Sequence, residues 1–156
     1  MHKTESFIED RIKWRASKRN LPNKHVVFFK DLDKKTRREY LSEVHYQDTG
    51  KIVLLFTHKK KSWTAIGTKM IVGFDGKLLH TIAYKDIVSL DAKHLKASLE
   101  ASTFTRIFFR KKFESDLVIK DIHGNETVFF THPGEDFFAL WNMTMMLARL
   151  YNAPFE

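Results

Sequence analysis

The chain carries no arrangement of residues typical of a catalytic or metal-binding site. Its eight histidines are scattered, and none forms the His-x-His or His-Glu-x-x-His spacing that ligates zinc. There is no Gly-x-Ser-x-Gly nucleophile elbow and no glycine-rich loop that would cradle a phosphate. The absence of cysteine excludes disulfides, thiolate metal sites and cysteine catalysis. No cofactor or metal is therefore predicted, and an enzyme would need a polar pocket assembled from His and carboxylate side chains that no motif indicates.

Lysines cluster where an anion would be the natural ligand. Lys59, Lys60 and Lys61 are consecutive in a predicted hairpin loop, Trp63 follows them, and Lys69 lies further along the next strand. Each ammonium group near an anionic membrane contributes about 1 kcal/mol to binding, and an indole would add apolar contact. The alternative interpretation is an ordinary charged hairpin tip that only faces solvent.

A second basic patch comprises Arg106, Arg110, Lys111 and Lys112, with phenylalanines interleaved. Basic side chains among aromatic rings are typical of platforms for single-stranded nucleic acid. Alternation of core and surface residues along one strand explains the same pattern, and the sequence contains no RNA-binding signature phrase.

The charge of the chain is unevenly distributed. The net charge is +8; residues 1–46 contain 12 Lys and Arg against 7 Asp and Glu, and residues 47–156 contain 15 against 12. Such a balance favours nucleic acid, anionic lipid or an acidic protein as a partner, although it also serves solubility alone. No apolar run approaches the roughly 18 residues of a membrane span, and the charged N-terminus lacks the core of a signal peptide. We therefore expect a cytoplasmic protein without a transmembrane segment.

Hydrophobic periodicity predicts helices over 4–19, 33–46 and 133–151. In the last of these, Pro133 is expected at the first helical position, and an apolar face that includes Trp141 needs a partner to cover it. Residues 25–29 are ambiguous between a strand and the start of a helix.

Seven strands are predicted between the second and third helices, and a long loop with one short helix over 92–103 interrupts them. Asp75 and Gly76 are expected to form a type I′ hairpin turn, which requires positive φ at both residues. The predicted strands cover residues 51–57, 63–74, 77–84, 87–90, 104–113, 116–122 and 126–130.

The order of these elements, with several local phrases, resembles the bacterial pleckstrin-homology-like (PH-like) domains. The phrases are the threonine-led strand at 68–72, the turn at Asp75 and Gly76, the Tyr-x-Asp-Ile step at 84–87, and the C-terminal helix with its central Trp141. The resemblance covers residues 50–152. It implies an α+β protein: a bent, seven-stranded antiparallel barrel capped by the C-terminal helix and preceded by a helical extension, residues 1–46.

PH-like scaffolds work as adaptors, so the resemblance implies binding rather than catalysis, in a non-enzymatic interaction module. In lipid-binding members, basic residues flanking the first hairpin loop bind phosphoinositide head groups; here that loop has lysines without the usual Lys-x-Arg pairing. We expect the partner to be an anionic membrane surface or a protein, contacted through the loop and the basic N-terminal helices. The alternative is a nucleic-acid-associated protein, and self-association through residues 1–46 is compatible with the first interpretation.

Overall fold

The structure is a computed structural model that describes residues 3–44, 48–59, 61–92 and 115–155. Three α-helices and eight strands lie within these residues, so the protein is α+β as predicted. In chain order they are α1 (Glu5–Lys18), β1 (Val26–Phe28), α2 (Lys34–Val44), β2 (Ile52–Thr57), β3 (Trp63–Gly67), β4 (Met70–Phe74), β5 (Leu79–Ala83), β6 (Ile87–Ala92), β7 (Asp116–Asp121), β8 (Glu126–Phe130) and α3 (Glu135–Leu150).

The described strands form two antiparallel sheets. The first has the order β1-β2-β3-β4-β5 and the second has the order β6-β7-β8. These strands therefore divide into two sheets and do not close into one seven-stranded barrel. The predicted strand at 104–113 and most of the predicted loop at 92–103 lie outside the described residues.

The two sheets meet where β4 faces β8. A Cβ atom built on Gly73 would lie only 2.7 Å from the ring of Phe129, which is completely buried. Nearby, the Thr64 hydroxyl donates a hydrogen bond of 2.6 Å to the carbonyl of Phe130. The contact depends on a residue without a side chain, because any larger residue would hold the sheets apart.

One hydrophobic core joins both sheets with α1 and α3. Helix α1 contributes Ile8, Ile12 and Ala16, which repeat every four residues along one face and are buried. The buried face of α3 contributes Phe137, Ala139, Leu140, Met143, Met146, Leu147 and Ala148. The C-terminal helix thus has the covering partner that its apolar face requires, while Trp141 and Tyr151 pack at the edge of this core.

A second, smaller cluster lies on the other face of the first sheet, beneath α2. It includes Leu55 of β2, Trp63 of β3, Val72 of β4 and Val44 at the end of α2. Strand β2 is therefore buried on both faces, which explains its continuous apolar sequence.

The single strand predicted over 63–74 is wrong, since the structure contains two strands joined by a tight turn. Ile66 pairs with Ile71, and the chain reverses through Thr68 and Lys69. The amide of Thr68 donates to the carbonyl of Lys51 (2.9 Å), and the amide of Lys69 donates to that of Thr49 (2.9 Å). The turn is thus held by a distant segment that the local pattern does not reveal.

Two finer expectations also differ from the structure. The hairpin after β4 is a four-residue connection from Phe74 to Leu79, not a type I′ turn, because only Gly76 has a positive φ. Helix α3 begins at Glu135 rather than Pro133, because Gly134 precedes it with φ +90° and ψ −128°, a conformation that suits glycine.

Residues 3–44, the described part of the predicted extension, pack against the rest of the described structure. Strand β1 resolves the ambiguity over 25–29 and pairs with β2 at the edge of the first sheet. Helix α1 packs against α3 and β2, and the Lys3 ammonium donates to the carbonyl of Leu150 (2.8 Å).

Candidate functional site

The outward side of α1 combines exposed aromatic rings with cations. The helix is capped by the Thr4 hydroxyl, which accepts a hydrogen bond of 3.1 Å from the amide of Phe7. Because Ile8 and Ile12 point into the core, the opposite side faces solvent. Phe7 and Trp14, seven residues apart on this side, remain 42% and 43% exposed.

Three cations surround the Trp14 ring. The guanidinium carbon of Arg11 lies 4.6 Å from the ring centroid, and that of Arg15 lies 5.2 Å away. The Lys18 ammonium follows at 5.6 Å. All three distances are within the range of cation–π attraction. We call Phe7, Arg11, Trp14, Arg15 and Lys18 the aromatic-basic face; it concentrates positive charge around an accessible indole.

The predicted lysine loop is the connection between β2 and β3. Lys59 and Lys61 are exposed at its tip. Ser62 closes the loop, since its amide and its hydroxyl both donate to the carbonyl of Lys59 (3.1 and 2.9 Å). Lys60 lies outside the described residues. The loop therefore presents the ammonium groups of Lys59 and Lys61 to solvent.

Trp63 does not share this exposure. Its side chain is 5% exposed and belongs to the smaller hydrophobic cluster. The rings of Trp63 and Tyr40 pack edge to face, with their centroids 5.3 Å apart. The centroid of the Phe74 ring lies 5.9 Å from that of Trp63. This indole packs α2 onto the sheet and does not extend the surface of the loop.

Lys69 lies at the other end of β3 from the lysine loop. A strand rises about 3.3 Å per residue, so roughly 17–20 Å of chain separate the two sites. The Lys69 ammonium forms an exposed ion pair with Asp48 (3.2 Å). It lines a separate cavity of about 570 Å³, to which Lys3, Lys85 and Tyr151 also contribute. The structure thus divides the predicted binding residues between two places.

The second basic patch, Arg106, Arg110, Lys111 and Lys112, lies outside the described residues and stays a prediction.

Three histidines that are distant in sequence meet beside the lysine loop. The rings of His25 and His132 stack with centroids 3.5 Å apart and planes inclined by 20°. The ring of His58 lies 6.1 Å from that of His132 and stacks on Phe130 at 5.4 Å. We call His25, His58 and His132 the histidine cluster; each ring is half-buried.

This cluster was not predicted, although part of the signal is present in the sequence. His25 directly precedes β1 and His58 directly follows β2, so antiparallel pairing brings them to the same end of the sheet. The amide of Thr57 indeed donates to the carbonyl of His25 (2.9 Å). The position of His132 depends on how the second sheet packs, which no local pattern gives.

Neighbouring charges and burial set the protonation of the cluster. Burial lowers the pKa of His58, and nearby His132 and Lys59 act in the same direction while Asp116 opposes them. Burial also lowers the pKa of His132, assisted by His25, Lys24 and Lys59 and opposed by Asp136. Both shifts favour the uncharged form of these rings at neutral pH.

Hydrogen bonds fix the segments that carry the cluster. Asn23 donates to the Asp136 carboxylate (2.7 Å), and its own oxygen accepts from the amides of His25 (2.9 Å) and Val26 (2.8 Å). The Nδ1 atom of His58 lies 2.7 Å from the Ser62 hydroxyl. The loop after α1, the lysine loop and the start of α3 are thus tied into one end of the molecule.

Within the described residues, no group of three or more His, Cys, Asp or Glu side chains is placed to hold a metal ion. None of the helices described is long and apolar enough to cross a membrane.

Comparisons of the chain with protein-family models, curated proteins and solved structures gave no match.

Proposed function

We propose that this chain is a non-catalytic binding module of PH-like type that docks on an anionic membrane surface. The contact surface consists of the aromatic-basic face of α1 and the lysine loop between β2 and β3. The observation that carries the proposal is the exposed Trp14 indole with three cations within 5.6 Å of its ring. The antiparallel sheets and the C-terminal helix support the PH-like assignment, which remains an analogy at the level of the fold.

The chemistry of this face suits the boundary between lipid head groups and acyl chains. Indole and phenyl rings enter the apolar side of that boundary, and Lys and Arg side chains reach the anionic head groups. Helix α1 is anchored by its opposite face, so it needs no folding on contact. The loop after α1 leads within six residues from Lys18 to Lys24, beside the histidine cluster. The basic surface on α1 therefore continues toward the lysine loop.

The binding free energy expected for this surface corresponds to reversible binding. Arg11, Arg15, Lys18, Lys59 and Lys61 together contribute about 5 kcal/mol, taking about 1 kcal/mol for each cation near an anionic leaflet. Burying the exposed parts of Phe7 and Trp14 adds about 1 kcal/mol each, a little under half of the value for a complete aromatic side chain. A total of about 7 kcal/mol corresponds to a dissociation constant on the order of 10 µM.

Co-sedimentation with vesicles of phosphatidylcholine alone, and of phosphatidylcholine with phosphatidylserine, tests the proposal at low and physiological salt. We expect pelleting only with the anionic vesicles, and weaker pelleting at the higher salt. Replacing Arg11, Arg15 and Lys18 by Gln should weaken binding about 100-fold, because it removes about 3 kcal/mol. Replacing Lys59 and Lys61 by Gln should weaken it about 30-fold.

The matched control replaces Lys34, Lys35 and Arg38 of α2 by Gln, which removes the same charge from another exposed helix. Equal losses in the α1 and α2 variants would show that net charge, not the aromatic-basic face, causes binding. No pelleting of the wild-type protein with anionic vesicles at either salt would refute the proposal.

A nucleic-acid partner is the second candidate, because an exposed indole between guanidinium groups can also stack on bases. Trp14→Leu distinguishes the two functions. Leucine still partitions into a membrane but offers no aromatic face for stacking, so retained vesicle binding favours lipid. Binding of a single-stranded oligonucleotide that is lost in Trp14→Leu would favour nucleic acid.

A further inference from the structure

The histidine cluster occupies the same end of the molecule as the lysine loop, and the proposed docking surface does not use it. The rings of His25, His58 and His132 are half-buried. His25 directly precedes β1, His58 directly follows β2, and His132 is the second residue after β8. The stacked pair with centroids 3.5 Å apart leaves no room for a screening group between the rings.

The charged groups that face the cluster are unequal in exposure. The cations Lys24 and Lys59 are exposed, whereas the carboxylates Asp116 and Asp136 are 8% and 6% exposed. Asp136 accepts a hydrogen bond from Asn23 and Asp116 accepts one from the Ser115 hydroxyl (2.8 Å). The buried carboxylates thus already accept hydrogen bonds from neighbouring side chains, while the solvent side of the cluster carries positive charge.

We infer that the histidine cluster makes docking on an anionic surface proton-dependent, so that acidification below neutral pH strengthens it. The inference rests on the proposed function and adds its regulation. In the free protein, protonation places like charges at stacking distance and beside two lysines, which is unfavourable. An anionic surface facing Lys59 offsets that repulsion, so the docked protein binds protons more readily than the free protein.

The direction of the pH dependence of docking follows from thermodynamic linkage. Burial and the neighbouring cations lower the pKa of His58 and His132 in the free protein. If docking raises the proton affinity of these rings, protons must raise the affinity for the surface by the same factor. Each proton taken up on docking changes the affinity by up to tenfold per pH unit between the free and docked pKa values. We expect docking to be at least tenfold tighter at pH 5.5 than at pH 7.5.

Vesicles containing phosphatidylglycerol provide the test, because their charge does not titrate in this pH range. Binding is measured at pH 5.5 and pH 7.5 for the wild-type protein, His132→Gln and His123→Gln. His123 is the matched control, since it is exposed in the turn between β7 and β8. The quantity compared is the ratio of the affinity at pH 5.5 to the affinity at pH 7.5. We expect this ratio to be at least ten for the wild type and His123→Gln, and at least threefold smaller for His132→Gln.

The two proposals fail in different ways. Tight docking of the wild type with equal affinity at both pH values overturns the proton dependence and leaves the membrane function intact. No docking at either pH overturns the membrane function and the dependence with it. An unchanged ratio in His132→Gln shows that the cluster is not the sensor.

An NMR titration of the wild-type imidazoles keeps the inference falsifiable if His132→Gln folds poorly. We expect the His58 and His132 signals to titrate at higher pH when phosphatidylglycerol nanodiscs are present. Midpoints that do not move on docking overturn the inference.

Discussion

The contact between the two sheets makes Gly73 the most informative position for testing the fold. Gly73→Ala adds a single methyl group whose carbon would lie 2.7 Å from Cδ1 and 3.0 Å from Cε1 of Phe129. Gly73 does not have a positive φ, so alanine introduces no backbone strain. Any loss of stability therefore reports on the packing of β4 against β8.

The loss of stability expected for Gly73→Ala follows from these distances. An ordinary contact between carbon atoms is about 3.5–4.0 Å, so the Phe129 ring must move by nearly 1 Å. The ring is completely buried, and protein interiors are close-packed, so such a movement meets resistance from its neighbours. Overpacking of this kind costs about 1–3 kcal/mol. For a domain of this size that corresponds to a melting temperature lower by about 2–12 °C.

Urea denaturation of four proteins tests the reasoning as a double-mutant cycle: wild type, Gly73→Ala, Phe129→Leu and the double variant. Phe129→Leu alone should cost about 1 kcal/mol. In the double variant the smaller side chain accommodates the methyl group, so the two losses should not add, and the coupling should be at least about 0.5 kcal/mol. If Gly73→Ala costs less than about 0.5 kcal/mol, or the losses are additive, the two sheets do not meet here as described.

Two further predictions concern single side chains. Tyr84 is completely buried, and its hydroxyl donates a hydrogen bond to the carbonyl of Gly67 (2.8 Å). Tyr84→Phe should therefore lower the free energy of unfolding by about 1–3 kcal/mol. An unchanged urea midpoint would contradict this hydrogen bond. Asp75 accepts hydrogen bonds from the amides of Lys77 and Leu78 (both 2.8 Å), which lower its pKa to about 2. Its stabilisation is present above its ordinary pKa, near 4, and is lost as the pH falls toward 2. Thermal melts of Asp75→Ala should therefore differ most from those of the wild type at neutral pH and converge with them near pH 2, and a constant difference would contradict the assignment.

Local patterns in the sequence were sufficient for most of the described elements. The periodicity of Phe7, Ile8, Ile12 and Trp14 predicts the first helix, which is confirmed. Only Ile8 and Ile12 of these four lie on its buried face, since Phe7 and Trp14 remain exposed. Both faces of β2 are buried, as its unbroken apolar run indicates. These features depend on neighbours a few residues apart, which the sequence shows directly.

Features held by distant segments were missed for a physical reason. The turn through Thr68 and Lys69 exists because the carbonyls of Thr49 and Lys51 accept their amide hydrogens, and residues 63–74 alone suggest a single strand. The histidine cluster likewise requires the second sheet to bring His132 onto His25. Trp63 was expected beside the lysines because it is adjacent to them in sequence. Strand geometry turns its side chain to the α2 side of the sheet.

The two halves of the proposed docking surface respond differently to solution conditions. The aromatic-basic face contains no histidine, so we expect the contribution of α1 to depend on salt rather than on pH. The lysine loop lies beside the histidine cluster, in which His58 and His132 gain charge as the pH falls. Raising the salt should therefore weaken both contacts, whereas raising the pH should weaken only the contact at the loop. The variant with both Lys59→Gln and Lys61→Gln tests this expectation. If it keeps the full pH dependence of the wild type, the histidines influence docking through some route other than this loop. The aromatic-basic face alone must then orient the protein on its target.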